Sequence, residues 1–423
     1  GWENNFGASV RRGIYARHRL DLSVRDILFG VLSCLRLWRR EWLEAEILRL
    51  CSLEDQGLVS FSVRSGWDLW LRAQGLRAGD EVLVSAVTHP DMVRIIREHG
   101  LRAVPVDIDP ETLAPRPGML EAALTSRTRA IMVAHLFGGR MDLGSVAWFA
   151  RQHGLLLVED CAQAFQGPEA VGDPAADLSM YSFGILKTAT ALGGAVLRVR
   201  DREVLRRMRE IQASYPKQRR DEYLKKLLNV LGLVALSQPR PYGLLVRACR
   251  LLGSDLDALV NGVVRAFPAR EPAEILFRRL RRRPSTPLLA MLSRRLGTFD
   301  EDRLARRAAA GERVARRLKL AAVHPGGDSL RRTHWLFPVV VLDPEALILG
   351  LRRRGFDASQ ATSSIAVVEA PAGRSSADEA SRMMSSVVFL PVYPNLPPYA
   401  LDSMVELVND CAVGEGIEGL ALS

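Results

Sequence analysis

The sequence predicts an α/β fold: a mostly parallel central sheet covered by helices, a helical insertion, and a small C-terminal α+β domain. Two observations carry this. From Val59 onward, short apolar runs alternate with helix-length segments, the pattern of parallel strands buried on both faces and joined by crossover helices. The rhythm then stops near residue 203, and beyond Pro284 a basic helix leads to two further apolar runs, near Trp335 and Val387. A chain of 423 residues with 48% hydrophobic content can build two domains around a sizeable core.

Residues 1–58 read as an N-terminal helical segment, basic and apolar between 8 and 55. Ile27, Leu28, Val31, Leu32, Leu35 and Leu37 fall at near-helical spacing, with Trp38 and Trp42 beside Arg36, Arg39 and Arg40. Such a helix either lies in a membrane interface or packs on its own protein, and the second is the expectation adopted. Residues 59–203 form the large domain. Its strands are expected at Glu81–Val84, Ala103–Val106, Arg129–Val133, Leu155–Val158 and Ala195–Leu197, its helices at His89–His99 and Leu143–His153. Residues 204–283 read as an amphipathic helical insertion, with helices at Tyr223–Val234 and Leu244–Leu252 broken by Pro239-Arg240-Pro241. Residues 284–423 hold a long basic helix from Pro284 to about Leu318. Strands near Trp335–Val341 and Val387–Leu390 follow, each with a helix after it.

Composition narrows the function classes. The balance of 58 basic against 48 acidic residues, net +10, favours an anionic partner without identifying one. The arginine run Arg278–Arg283 comes with no helix-turn-helix and no aromatic reading surface, so nucleic acid is not the expected partner. Five scattered cysteines with no CxxC pair disfavour both a disulfide framework and a zinc site, and no metal is expected. No apolar stretch reaches the roughly 18 residues of a spanning helix. The expected location is the cytoplasm, with helices 20–45 and 222–252 as the stretches that would touch a membrane surface.

The chemistry is concentrated in two segments. The apolar run Leu155–Val158 ends in Glu159-Asp160, with Gln163 just beyond; further on, Tyr181-Ser182-Phe183 precedes a single lysine, Lys187. In a parallel sheet, ligands sit at the carboxyl ends of strands, where Asp160 falls. An acid there is costly to ionise unless something positive meets it. A protonated pyridine nitrogen is such a partner. Gln163 can donate to a ring oxygen. Ser182 can hold a phosphate, helped by backbone N–H groups of the Ser65-Gly66 turn at a helix start. Lys187 supplies an amine for an aldehyde. Singly, Asp160 would cap a turn and Lys187 would be a surface lysine; together and in this order they are the layout that holds pyridoxal 5'-phosphate (PLP). Lys187 would then form the internal aldimine and carry protons between carbon centres, helped by a lowered pKa.

These residues resemble the DegT/DnrJ/EryC1/StrS family of PLP-dependent aminotransferases, within the fold-type I (aspartate aminotransferase-like) group. The matching stretches are Ala78–Val82, Val106–Asp109, Ala134–Gly139, Val158–Gly167, Ser182-Phe183, Lys187 and Leu390–Pro394. The resemblance implies a fold-type I large domain, with Asp160 at the pyridine nitrogen, Gln163 at the ring oxygen, Ser182 at the phosphate and Lys187 as the imine lysine. It places His89 where the family has an aromatic stacked on the ring. The family's dehydratases carry histidine in place of the lysine, so Lys187 implies transamination. Three departures stand out. The phosphate turn reads Ser65-Gly66-Trp67 and lacks the family's threonine. The Gly-x-Asn-x-Arg-Met segment, through which a neighbouring subunit completes the site, is not recognisable. The insertion has no counterpart.

The expectation is therefore an aminotransferase moving an amino group from an amino-acid donor, plausibly glutamate, to a carbonyl substrate. The acceptor is a nucleotide-linked keto-sugar or a larger, lipid-like carbonyl compound, and the protein is a homodimer. The competing expectation is a membrane-associated binding or scaffold protein that keeps the fold and has lost the chemistry.

Overall fold

The computed structural model describes residues 15–16, 20–170, 172–236, 272–319, 324–360 and 365–413. Its centre is a seven-stranded sheet in the order β1-β9-β8-β7-β5-β2-β4. The strands are β1 (Gly57–Ser60), β2 (Glu81–Ser85), β4 (Arg102–Val106), β5 (Thr128–Ala134), β7 (Leu156–Asp160), β8 (Leu178–Ser182) and β9 (Ala195–Val199). From β4 across to β8 every pairing is parallel, and only β9 runs against its neighbours. The mostly parallel sheet read from the sequence is thus present. β1 and β8, which the alternation did not reveal, complete it. Since β5, β7 and β8 run the same way, Ala134, Asp160 and Ser182 end at one edge of the sheet.

Helices hold this sheet from both sides. On one face lie α3 (Val63–Gln74) and α4 (Pro90–Glu98), and on the other α5 (Pro117–Ala123) and α6 (Gly144–Gln152). The helix α3 starts at Ser62, whose hydroxyl accepts the Ser65 N–H, and it packs unusually close to the sheet. A Cβ on Gly66 would stand 2.6 Å from Leu197 on β9, so this glycine is what lets helix and strand meet. Trp67 and Trp70 stack at 5.4 Å in the core beneath. Into the same core α7 (Arg202–Ala213) sends Val204, Leu205 and Met208, and α9 (Ala273–Leu280) sends Leu276 and Leu280.

Two expected helices are broken. The N-terminal segment forms α1 (Val24–Leu35) and α2 (Arg40–Leu50), separated where Arg36 turns extended and lays its guanidinium over Trp38 at 4.3 Å. Ser23 and Asp26 form a reciprocal capping box at the start of α1. Near-helical spacing alone does not see such a break. The basic helix expected from Pro284 to Leu318 is also two, α10 (Thr286–Gly297) and α11 (Glu301–Ala315). The Asp300 side chain accepts the Arg303 N–H and so restarts the helix. Within the insertion α8 (Arg220–Leu236) covers the expected Tyr223–Val234 helix; the one expected at Leu244–Leu252 lies outside the described residues. α1, α8 and α10 share a core made by Ile27, Tyr223, Leu227, Leu288 and Met291.

The small domain pairs β11 (Phe337–Val340) with β13 (Val387–Leu390) antiparallel, covered by α12 (Pro344–Arg353) and α14 (Pro398–Val413). Two-stranded contacts join the domains: β10 (Arg331–Arg332) pairs with β6 (Gly139–Arg140), and β12 (Ala366–Val367) with β3 (Val87–Thr88).

Candidate active site

Adjacent acids end β7, and alternation along the strand sends them to opposite faces. Glu159 is fully engaged. It accepts from Ser179 Oγ at 2.5 Å and the Asp173 N–H at 2.6 Å, with His135 Nε2 at 3.0 Å and Arg140 at 3.4 Å. Against the cost of burial, these partners hold its carboxyl at about 2. Asp160 is different. One oxygen accepts the Ala162 N–H at 2.9 Å, and among the described residues no ion pair reaches it. Burial pushes its carboxyl above the usual range, opposed by that N–H, by Lys187 and by His135. A buried carboxylate lacking a close cation is an invitation to one.

Lys187 stands in the loop that joins β8 to β9. This loop carries two non-glycine residues in the left-handed region, Ala189 (φ 54°) and Leu192 (φ 63°), each costing on the order of 1–2 kcal/mol. Thr190 braces it by donating to the Gly184 carbonyl at 2.6 Å and accepting the Leu192 N–H at 3.0 Å. The Lys187 ammonium lies 4.2 Å over the ring of Trp335. Trp335 is itself fixed by its Nε1–H to the Leu186 carbonyl at 2.9 Å. Burial lowers the Lys187 amine to about 8; Asp160 opposes the shift and Arg64 adds to it. The lowered pKa expected for a base beside another cation is therefore present, with Arg64 as that cation.

Around this pair the structure places the other sequence-derived residues unevenly. Gln163 accepts the Phe137 N–H through Oε1 at 2.9 Å, which leaves its amide N–H groups as the free, directed end. Ser182 closes β8, with its Oγ 3.4 Å from the Gly184 nitrogen. His89 caps α4, accepting the Asp91 N–H through Nδ1 at 3.1 Å. It also lies in the fields of Arg64 and Lys187, and with burial they lower its pKa to about 4, so the ring is neutral near pH 7. The phosphate turn is arranged otherwise than expected. The Ser65 N–H goes to Ser62 Oγ and the Gly66 N–H to the Ser62 carbonyl, so both serve the helix start. The side chain of Trp67, the third residue of the expected turn, is fully buried and donates to the Met92 carbonyl at 3.2 Å.

Three residues here escaped the sequence reading. Trp335 sat in an expected strand with no role. Arg307, on α11, donates to the Thr333 carbonyl at 2.8 Å and to Thr188 Oγ1 at 3.0 Å, beside Lys187. It has no carboxylate among these bonds, and burial lowers its pKa to about 10. Lys226, on α8, brings a second amine to the loop. A cleft with room of about 80 Å³, open to solvent at its mouth, runs past Lys187 between Trp335, Arg303, Arg307 and Asn395. Buried His135, Glu159 and Cys161 also lie together, with ligand atoms within 4.8 Å. Both His135 nitrogens are already bonded, to Glu159 and to the Met141 N–H, and burial raises the Cys161 thiol well above its usual range, so this cluster reads as structural.

The set fits PLP: an acid without a close cation, a directed amide, a hydroxyl at a strand end and an amine shifted toward neutrality. Comparison with known proteins agrees. Residues 43–233 match the DegT/DnrJ/EryC1/StrS aminotransferase family. The L-glutamine:2-deoxy-scyllo-inosose aminotransferase of Streptomyces kanamyceticus is 35% identical over 190 residues, 44% of this chain. That match spans 42% of the relative's own length. Among solved structures, the aminotransferase TlmJ from Streptoalloteichus hindustanus superposes with a TM-score of 0.65 at 20% identity, covering 94% of this chain and 97% of that one. NtdA from Bacillus subtilis, with bound cofactor PMP, gives 0.64 at 19% identity over 92% of this chain and 82% of that one. At such identities the likeness speaks for the fold.

Proposed function

We infer that this chain, whose residues 43–233 match the DegT/DnrJ/EryC1/StrS aminotransferase family, is a PLP-dependent aminotransferase acting on a keto-sugar-type carbonyl acceptor. The observation that carries it is Asp160, a buried acid without an ion pair at the end of β7, facing the field of an amine lowered to about 8. When bound, the cofactor supplies an electron sink that makes proton transfer at the substrate's amino-bearing carbon feasible. The chain supplies the rest. Asp160 would hold the ring nitrogen, Gln163 would donate to the ring oxygen, and the neutral face of His89 would be available for stacking. Ser182 would hold the phosphate. Lys187 would hold the cofactor through its amine and, when that amine is free, would take up and return the proton, which its lowered pKa suits. Trp335 excludes water from one side of it.

The donor is proposed to be glutamate; the Streptomyces relative bears L-glutamine in its name. Arg307 is proposed to hold the donor's carboxylate, since it has donors to spare and no acid bonded to it. In the PLP-loaded protein, glutamate without any acceptor should change the visible absorption. If neither glutamate, glutamine nor any other amino acid does so, the transaminase reading falls. Arg307→Leu should raise the donor concentration needed for half-change by about 10- to 100-fold, the loss of one charge-assisted contact, with partial recovery in Arg307→Lys. A homodimer is carried as a proposal from the family resemblance.

Contact with a membrane is a second proposal, and one observation favours it. On α1, Leu28, Leu32 and Leu35 are 58%, 65% and 77% exposed, with Leu37 (86%) and Trp42 (55%) following. Arg25, Arg36 and Arg39 lie in the same stretch, which suits an anionic lipid surface. No helix among the described residues is long and apolar enough to cross a membrane. Co-sedimentation with anionic vesicles, lost in Leu28→Ser/Leu32→Ser and in neutral vesicles, is the expected result. Failure to sediment, or a dimer that the same double substitution dissolves, removes the membrane and assigns the face to the protein itself.

A further inference from the structure

The helix α8, expected from the sequence to belong to an insertion but lying largely within the family match of residues 43–233, leans on the loop that carries Lys187. Its Tyr223 donates through the phenol to the Ala191 carbonyl at 2.8 Å. Lys226 follows three residues later, on the same helix face. Its Nζ stands 3.9 Å from the place a Cβ would take on Gly193. Gly193 donates to the Phe183 carbonyl at 2.9 Å, and Gly194 to the Phe61 carbonyl at 3.0 Å. Phe183 follows Ser182, and Phe61 precedes the α3 cap at Ser62. Lys226 thus lies where the end of the loop, the end of β8 and the start of α3 converge.

Among the described residues no carboxylate pairs with the Lys226 ammonium, and a partly buried ammonium without a counter-charge is costly. Burial and the nearby Arg64 lower its pKa to about 8. Arg64, itself ion-paired with Asp91 at 2.5 Å, lies in the field of Lys187 as well, so it links the two amines without being the charge that needs an answer. Meanwhile the Ser65 and Gly66 N–H groups are taken up by the helix start, and the turn has no threonine hydroxyl. A bound phosphate would give the Lys226 ammonium the counter-charge it lacks.

We propose that Lys226 is a ligand of the cofactor's phosphate, its ammonium completing, from α8, a cradle shared with Ser182 and the amino end of α3. This rests on the PLP reading, and the test keeps the two apart. Cofactor-free protein is titrated with PLP and with pyridoxal, which has the same ring and aldehyde but no phosphate, and binding is read from visible absorbance. Lys226→Met should weaken PLP by about 10- to 100-fold and leave pyridoxal within about twofold. Lys226→Arg should recover most of the loss, and Lys225→Met, an exposed neighbour, should change nothing. Unaltered PLP binding in Lys226→Met, or equal weakening of PLP and pyridoxal, overturns the role of Lys226 while the cofactor stands. Absence of PLP binding by the unaltered protein removes the cofactor reading first, and the inference with it.

Discussion

Lys187→Ala should abolish turnover, by about 10⁴-fold or more, and remove the visible absorption band that borohydride bleaches in the PLP-loaded protein. The effect is this large because one amine has two tasks, bonding the aldehyde and moving the proton. With its pKa near 8, roughly a tenth of it is neutral at pH 7, against about three parts in ten thousand at the ordinary lysine value. The side chain makes no hydrogen bond that the fold needs; its contact is the face of Trp335. Alanine therefore removes a desolvated charge, and the cofactor-free variant should melt no lower than the parent. Full activity in this variant would end the assignment. An unaltered protein that never develops the band, even with PLP added, would turn attention to the scaffold reading and the exposed face of α1.

Much of this site was legible because its signals are local. Asp160 ends an apolar run, and that run could only be a buried strand, so acid and strand end came together. Ser182 and Lys187 were found the same way, by order along the chain. What was missed came from distant segments. Trp335 meets Lys187 itself, Arg307 its neighbour Thr188 and Lys226 the loop's end at Gly193, each from a distant segment, and no spacing in one sequence encodes that meeting. The phosphate turn shows another limit: Ser65-Gly66 looks like a free turn in the sequence, but Ser62 sits at the helix start and takes the Ser65 N–H. Trp67 had no local mark that it faces the core. The broken helices show the limit of periodicity, since the apolar series that starts at Ile27 runs on to Leu37 past the extended Arg36. Glu159 and Asp160 are neighbours in the sequence, and only the pairing of β5, β7 and β8 shows that one is structural and the other open.

That difference sets the last expectation, for Asp160→Asn. Asparagine can still accept the Ala162 N–H at the strand end, but it cannot hold a ring nitrogen protonated. Losing one half of a buried charge pair costs about 2–5 kcal/mol, so turnover should fall by roughly 30-fold to several thousand-fold. Stability should move the other way. The folded-state pKa of Asp160 is raised above 3.8. Its contribution is therefore complete below the ordinary value and is lost as pH rises through the raised one. At neutral pH the cofactor-free protein carries this acid at a cost, and asparagine removes it. The variant should melt higher than the parent at pH 7, and the gain should shrink as pH falls toward 3.8. Glu159 has the opposite sign: held at about 2, it stabilises above 4.5 and loses that contribution as pH falls through 2. Thermal melts of the cofactor-free proteins across pH, set beside turnover, read both quantities. A damaged fold would lower rate and melting temperature together. A variant that melts higher and turns over far more slowly can only have lost a charge the chemistry requires.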